Sequence, residues 1–332
     1  MKPLDKIIET ARKAPRHIVL AEGEDARVVA AALRAHAEGI AEITLIGRHD
    51  IITERLREHG GNEGDFRIED PATSSLTERF AAGYHELRRS KGVDREKAEK
   101  AVREDLTFAA MMVREDEADG TIGGAVATTA DTVRTALQVI GRAPNAGLVS
   151  SFFLMMLCQP HHAKKGAFVF SDCGLVVDPD AAGLADIARM SAQSYQALLG
   201  DRAKVAMLSF STNGSATHDR VSKVVEATQM ARAANPDLLI DGELQFDSAF
   251  VEAVSSAKAP SSALHGQANV FVFPNLDAAN IGYKIAQRIG GATAIGPVLQ
   301  GLAKPANDLS RGCTADDVFH MIAVTVVQAA SQ

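Results

Sequence analysis

The chain has 332 residues, 46% of them hydrophobic and 23% charged, with a formal net charge of −7. That is the composition of an ordinary folded protein, long enough for roughly two domains. The acidic balance, with no basic stripe, argues against nucleic acid as a partner. No apolar run reaches the roughly 18 residues a membrane span needs, and residues 1–13 read as an amphipathic helix rather than a leader. Cys158, Cys173 and Cys313 form no CxxC and leave an odd count, which suits a reducing cytoplasm better than a disulfide framework.

Strand and helix patterns alternate nearly throughout. Residues 17–21 (HIVLA) read as a short buried strand, 27–38 as a helix, 42–46 as a strand and 50–59 as a helix. Two charge-rich helices are expected over 73–89 and 94–114. A Gly-rich strand, 120–126, runs into Thr128, Thr129 and Asp131, which read as a loop and helix start. Residues 148–157 and 166–170 are apolar runs around a polar turn and predict a β-hairpin. Helices are then expected over 180–199, 215–234, 245–254 and 278–289, with strands over 205–210, 238–241, 269–273 and 293–299. Strands separated by helices imply parallel βαβ units and an α/β fold. No internal repeat is evident.

The densest chemistry lies in residues 296–317, GPVLQGLAKPANDLSRGCTADD. Two Pro, three Gly and an Asn-Asp pair make it read as loop and a poor candidate for core. A helical pattern follows over 317–329, with Thr314 as its expected N-cap. Ser310 and Arg311 would then sit on a turn before a helix N-terminus, where backbone N–H groups favour anions. Arg311 offers a planar cationic fork for phosphate or an oxyanion. Ser310 offers a hydroxyl, and Asp317 a carboxylate that can take a proton. A thiol near pKa 8.5 and a carboxylate near 3.9 leave such a transfer uphill by roughly 6 kcal/mol. A like-charged neighbour narrows that gap, and Asp316 is the candidate.

Parallel sheets bind ligands beyond the carboxyl ends of their strands. Residues 22–25, 128–132, 211–215, 242–243, Asn275 and 300–311 occupy such positions here. Thr128, Thr129 and Thr132 with Arg134 make a reasonable phosphate cradle, although Thr capping with an exposed Arg fits the same residues. Cys313, two residues from Arg311, is the best candidate for a thiol of lowered pKa and hence an acyl-enzyme, against the simpler reading of an incidental thiol. His161 and His162 lack any acidic partner at metal-ligand spacing, and no metal site is expected. No Walker A or GxGxxG motif occurs.

The 296–317 stretch resembles the C-terminal signature of the phosphate acetyltransferase (phosphotransacetylase) family. Segments 22–25 (EGED), 86–92 (ELRRSKG), 123–134, 150–155 (SSFFLM) and 210–215 (FSTNGS) are similar to the family's in the same order, so the resemblance spans essentially the whole chain. It implies two α/β domains with a cleft between them, isocitrate/isopropylmalate dehydrogenase-like, with 1–145 plus 300–332 as the first domain and 146–299 as the second. It implies Ser310, Arg311 and Asp317 as catalytic residues, and Arg88, Thr129, Thr132 and Arg134 as substrate-binding ones, with Arg88 directed to coenzyme A. The implied reaction interconverts acetyl-CoA plus phosphate with acetyl phosphate plus CoA. It proceeds by direct thiolate attack in a ternary complex, without a prosthetic group, in a cytoplasmic homodimer. A phosphate butyryltransferase, a non-catalytic acetyl-CoA-sensing domain and, more weakly, a metal-dependent dehydrogenase are the alternatives.

Overall fold

Short apolar runs that alternate with amphipathic helices build the first sheet one βαβ unit at a time. In the computed structural model, which describes residues 3–331, helix α1 (Pro3–Lys13) leads into β1 (Arg16–Leu20), α2 (Ala26–Ala37), β2 (Ala41–Ile46), α3 (His49–Glu58) and β3 (Arg67–Glu69). Helices α4 (Thr77–Arg88), α5 (Arg95–Ala101) and α6 (Asp105–Arg114) precede β4 (Gly120–Gly123) and α7 (Thr129–Val139). The chain then forms a second unit, Asn145–Gly301. It comprises β5 (Ser150–Leu157), β6 (Gly166–Ser171), α8 (Ala181–Leu199), β7 (Lys204–Leu208), α9 (Asp219–Ala234), β8 (Leu239–Leu244), α10 (Phe246–Phe250), α11 (Glu252–Lys258), β9 (Val270–Val272), α12 (Leu276–Arg288) and β10 (Thr293–Gln300). From Leu302 it belongs again to the unit that holds Leu4–Pro144, adding β11 (Ala306–Asp308) and α13 (Ala315–Ala330).

The five-stranded sheet has the order β11-β4-β1-β2-β3 and is parallel throughout. Its core is the set of fully buried residues Ile18, Val19, Leu20, Leu45 and Ile46, covered by Val28, Val29, Phe108, Phe319 and Ile322 from the helices. The six-stranded sheet has the order β10-β5-β6-β9-β7-β8. There β5 pairs antiparallel with both β10 and β6, so the expected hairpin is present and the sheet is mixed. Phe153, Phe168, Phe170, Phe271, Leu208 and Leu244 form its core.

Four expectations need correction. The helix expected over 94–114 is two, because the backbone turns extended at Glu104 (ψ 128) and restarts with Asp105. The helix expected over 245–254 is likewise broken at Val251 (φ −112, ψ 119), which pairs a β-branched residue with an extended backbone. The helix expected from residue 73 begins only at Thr77, after a turn in which Asp70 accepts from Ala72. Most consequential, the stretch read as loop and poor core contains β11, and Pro305 through Leu309 are all buried. Register explains it. Ala306, Asn307 and Asp308 pair with Thr121, Ile122 and Gly123, so sheet hydrogen bonding overrides weak local strand propensity.

Gly124 follows β4 at φ +98, and a Cβ there would lie 2.3 Å from Asp308 Oδ1 and 2.7 Å from the Leu309 carbonyl oxygen. Both the backbone conformation and the close approach require glycine. Gly124→Ala should therefore cost about 2–4 kcal/mol of stability. The measurement is the midpoint shift in chemical denaturation, and an unchanged midpoint would mean that the β4–β11 junction is not packed as described.

Candidate active site

Three neighbouring strands, β11, β4 and β1, run parallel, so the loops after them leave the same carboxyl edge of the sheet. These loops are 309–314, 124–128 and 21–25. A Glu at the end of β1 ties two of them together. The Glu22 carboxylate accepts from the backbone N–H groups of Ala125 (2.6 Å), Val126 (3.0 Å) and Ala127 (2.7 Å). Three amides converging on one carboxylate fix the path of the chain into α7.

Arg27 joins all three loops. Asp25, the N-cap of α2, grips its guanidinium with both oxygens, Nε to Oδ1 at 3.0 Å and Nη2 to Oδ2 at 2.8 Å. Nη2 also donates to the Ala125 carbonyl at 2.8 Å. Nη1 donates to the carbonyls of Arg311 (2.8 Å) and Cys313 (3.0 Å). The side-chain hydrogen bond from Arg27 holds the Asp25 carboxyl below the usual carboxylate range. Only a planar fork with several donors meets four acceptors at once. Sequence reading missed Arg27, which lies in what looks like an ordinary amphipathic helix. The signal was an Asp N-cap two residues before an Arg, beside the EGED segment.

The 309–314 loop has the shape expected of it. The Leu309 N–H donates to the Gly123 carbonyl at 2.8 Å, and Cys313 N–H to the Ser310 carbonyl at 2.8 Å. Ser310 Oγ accepts from Gly312 N–H at 3.3 Å. Thr314 caps α13 as expected, reciprocally with Asp317. The Asp317 N–H donates to Thr314 Oγ1 at 3.2 Å, while Thr314 N–H and Oγ1–H both donate to Asp317 Oδ2 at 2.8 Å. Such a cap is worth about 1 kcal/mol. Asp317 is thereby rotamer-locked, with Oδ1 left without a protein partner among the described residues. Ser310 and Arg311 are exposed, and among the described residues the Arg311 guanidinium has no ion-pair or hydrogen-bond partner. Its backbone, not its side chain, is what Arg27 fixes.

Asp316 does not crowd Asp317. It extends to Arg34 at 2.9 Å, and Arg34 stacks its guanidinium on Phe319, 3.7 Å from the ring centre. Cys313 does not have the lowered pKa expected of a nucleophile. Burial pushes the thiol up, against a smaller opposing effect of Arg27, so the best acyl-enzyme candidate is disfavoured as a thiolate. Cys173 is likewise pushed up by burial.

Thr128 caps α7, accepting from Asp131 N–H at 3.2 Å and donating to Asp131 Oδ2 at 2.7 Å. Arg134 Nη1 donates to the other Asp131 oxygen at 2.7 Å. The bond from Thr128 and then that from Arg134 hold Asp131 below the usual carboxylate range. Thr129 is exposed, whereas Thr132 is buried and donates to the Thr128 carbonyl at 3.2 Å. Both sit beside Asp308 at the end of β11, although neither makes a full hydrogen bond to it. Thr129, Thr132, Ser310, Arg311 and Asp317 thus share one edge of one sheet. Arg88 stands apart: it ends α4, makes no hydrogen bond or ion pair to these loops, and buries its Nε without a partner. Among the described residues no group of three His, Cys, Asp or Glu is arranged to hold a metal ion. His161 and His162 both turn a ring nitrogen to the Gly290 carbonyl, at 2.9 and 2.7 Å.

Asp105, at the first turn of α6, carries no motif that would have marked it. Burial first, then the nearby charges of Glu24, Glu104, Asp70 and Glu22, push its carboxyl up to about 6. A folded-state value above the unfolded one near 3.9 means that the native state binds the proton more tightly. The stabilising contribution is full below about pH 4 and is lost as pH rises through about 6. Asp105→Asn should therefore raise stability by about 1 kcal/mol at neutral pH, after allowing for solvent screening, and flatten the dependence across that window. Denaturation series at several pH values check this. Arg27→Lys keeps the charge but cannot meet four acceptors. Amide exchange in residues 309–314 should speed up about tenfold or more by hydrogen–deuterium exchange mass spectrometry. Unchanged exchange would show that the loop is held by something else.

A family model described as Phosphate acetyl/butaryl transferase matches residues 3–326. A phosphate acetyltransferase from Paracoccus denitrificans is 52% identical over 328 residues, 99% of each chain. The crystal structure of a phosphotransacetylase from Streptococcus pyogenes is 42% identical and superposes with a TM-score of 0.92 over 99% of each chain. A phosphotransacetylase structure from Staphylococcus aureus is 41% identical, with a TM-score of 0.89 over 98% of each chain. Identity at this level, end to end and on the same fold, places the protein: the chain belongs to the phosphate acetyl/butaryl transferase family.

Proposed function

We propose that the chain is a phosphate acetyltransferase, interconverting acetyl-CoA plus phosphate with acetyl phosphate plus CoA. The observation that carries this reading is the joint fixation, through Arg27, of the Ser310–Arg311 turn and the Thr128–Thr132 helix start at one sheet edge. Around that edge stand the elements acyl transfer from phosphate requires: a cationic fork, hydroxyls and a carboxylate of fixed rotamer.

In the direction of acetyl-CoA synthesis, Asp317 Oδ1 takes the thiol proton of CoA. The thiolate forms a C–S bond to the acetyl carbonyl carbon, and the C–O bond to phosphate breaks. The electron pair leaves with phosphate, which receives the proton that Asp317 took from the thiol, directly or through solvent, and Asp317 is returned as carboxylate. Arg311 and Ser310 stabilise charge growing on the carbonyl or leaving oxygens, the type of interaction that carries most acyl-transfer catalysis. Thr129 and Thr132 cradle the phosphate, with Arg134 released from Asp131 to pair with it, and supply orientation. Arg88 is proposed to bind CoA away from this edge. The raised pKa of Cys313 favours direct transfer over an acyl-enzyme. With this reading go coenzyme A, acetyl phosphate and inorganic phosphate as partners, and a cytoplasmic homodimer.

The test is phosphate-dependent release of free thiol from acetyl-CoA. Thiol release that does not require phosphate would reject the assignment. Comparison of acetyl, propionyl and butyryl phosphate sets the acyl preference, each methylene being worth only ~1–3 kcal/mol. Arg311→Ala should lose ~2–4 kcal/mol of transition-state stabilisation, a fall of roughly 10²–10³ in kcat/KM. Activity within about twofold of the parent would remove Arg311 from the site.

A further inference from the structure

Among the described residues at this edge, Asp308 is a carboxylate to which no group donates a full hydrogen bond. The residue is 0% exposed, and both its oxygens are buried without a hydrogen-bond partner. It lies at the last position of β11, wedged against Gly124 on the neighbouring strand's exit, and next to the Thr129 and Thr132 hydroxyls. Glu22, in contrast, takes three backbone amides. A buried carboxylate without donors is a poor place for negative charge, and protonation is its ordinary remedy.

We propose that Asp308 is a positioning residue of the anion cradle, which holds a proton and donates it to the Thr129 hydroxyl oxygen so that this hydroxyl presents its own proton to the anion. The assignment rests on the cradle reading above. Its logic is hydrogen-bond polarity. A hydroxyl that donates to a carboxylate turns its lone pairs outward, against an anion. A hydroxyl that accepts from a carboxylic acid keeps its own proton free to point at the anion. Thr132 already commits its proton to the Thr128 carbonyl, so it is a donor neither to Asp308 nor to the anion. Thr129 is exposed and lies beside Asp308, and among the described residues its hydroxyl makes no full hydrogen bond, so its proton is the one that can turn outward once its oxygen accepts from Asp308. Asp308 is too buried to touch the anion itself and acts through the Thr129 hydroxyl.

Burial and the one charged neighbour favour the protonated form. Glu22, at the end of β1, is the charged group facing Asp308, and its charge disfavours a second one. From α7 come only Thr129 and Thr132, and from its own chain the Leu309 amide. The sheet neighbour contributes Gly123 and Gly124, with no side-chain donor. Helix α13 directs Thr325 and Gln328 to the adjacent Asn307 instead. Burial, then Glu22, push the Asp308 carboxyl up to about 6, with the threonines and the Leu309 amide opposing. Bound anion should raise it further and draw a proton from solvent.

Sulfate is the probe, because it stays dianionic from about pH 5 to about pH 8 while phosphate titrates. Its inhibition constant against phosphate should weaken by roughly an order of magnitude or more between about pH 6 and about pH 8. In Asp308→Asn, a fixed donor of the same shape, this dependence should largely disappear, with kcat changed less than the constant for phosphate. An Asp308→Asn profile that parallels the parent overturns the role of Asp308 alone. Sulfate that does not compete with phosphate overturns the cradle and this role together. The unaltered protein gives a test that needs no variant. Calorimetry of sulfate binding near pH 7 in two buffers of different ionisation enthalpy should show uptake of close to one proton, and uptake of none overturns the proposal.

Discussion

One guanidinium holds the site together. Arg27 is gripped by Asp25, and its remaining donors reach Ala125, Arg311 and Cys313, residues 98 to 286 positions away in sequence. Without it the loops after β1, β4 and β11 would share only the ordinary tendency of parallel strands to present their exits on one edge. With it, the backbone of the Ser310–Arg311 turn is fixed while the Arg311 side chain stays unpartnered. That division suits anion chemistry. Arg134, in contrast, already commits a guanidinium nitrogen to Asp131.

The same edge shows how environment assigns different tasks to like groups. Glu22, Asp25, Asp308 and Asp317 are carboxylates on or beside these loops. Glu22 serves as an acceptor for three amides. Asp25 is the counter-ion of Arg27. Asp317 is locked by its own helix cap through one oxygen, with the other free. Asp308, among the described residues, has neither a charge partner nor a donor at full hydrogen-bond geometry. Chemically similar side chains thus become a brace, a counter-ion, a helix cap and a buried group without a hydrogen-bond partner, according to what the backbone brings within about three ångströms of each.

Much of this was legible in the sequence, for identifiable reasons. The strand–helix alternation, the β5–β6 hairpin and the Thr314 cap are local signals of period and side-chain hydrogen bonding, and they survive folding. The resemblance of ordered segments to the phosphate acetyltransferase family pointed to the family to which the whole chain belongs. Elsewhere long-range pairing outweighed local preference. Asn307 and Asp308 read as turn residues and are strand, because β4 supplies the partner. Cys313 beside an Arg read as a candidate thiolate, yet burial dominates the nearby charge. Asp316 read as a like-charged neighbour of Asp317 and instead pairs across to α2.

The sequence by itself determined the fold class, the family and the residue types available for chemistry, since periodicity, capping and ordered motifs are properties of neighbouring positions. The tertiary structure alone decided which of those residues share an edge, that Arg27 is the tie between them, and that Asp308 is buried with no full hydrogen bond from the described residues. The physical reason is that partners such as Arg27 and Cys313 meet only after several strands have aligned, and no local pattern records where a hydrogen bond will find its other end.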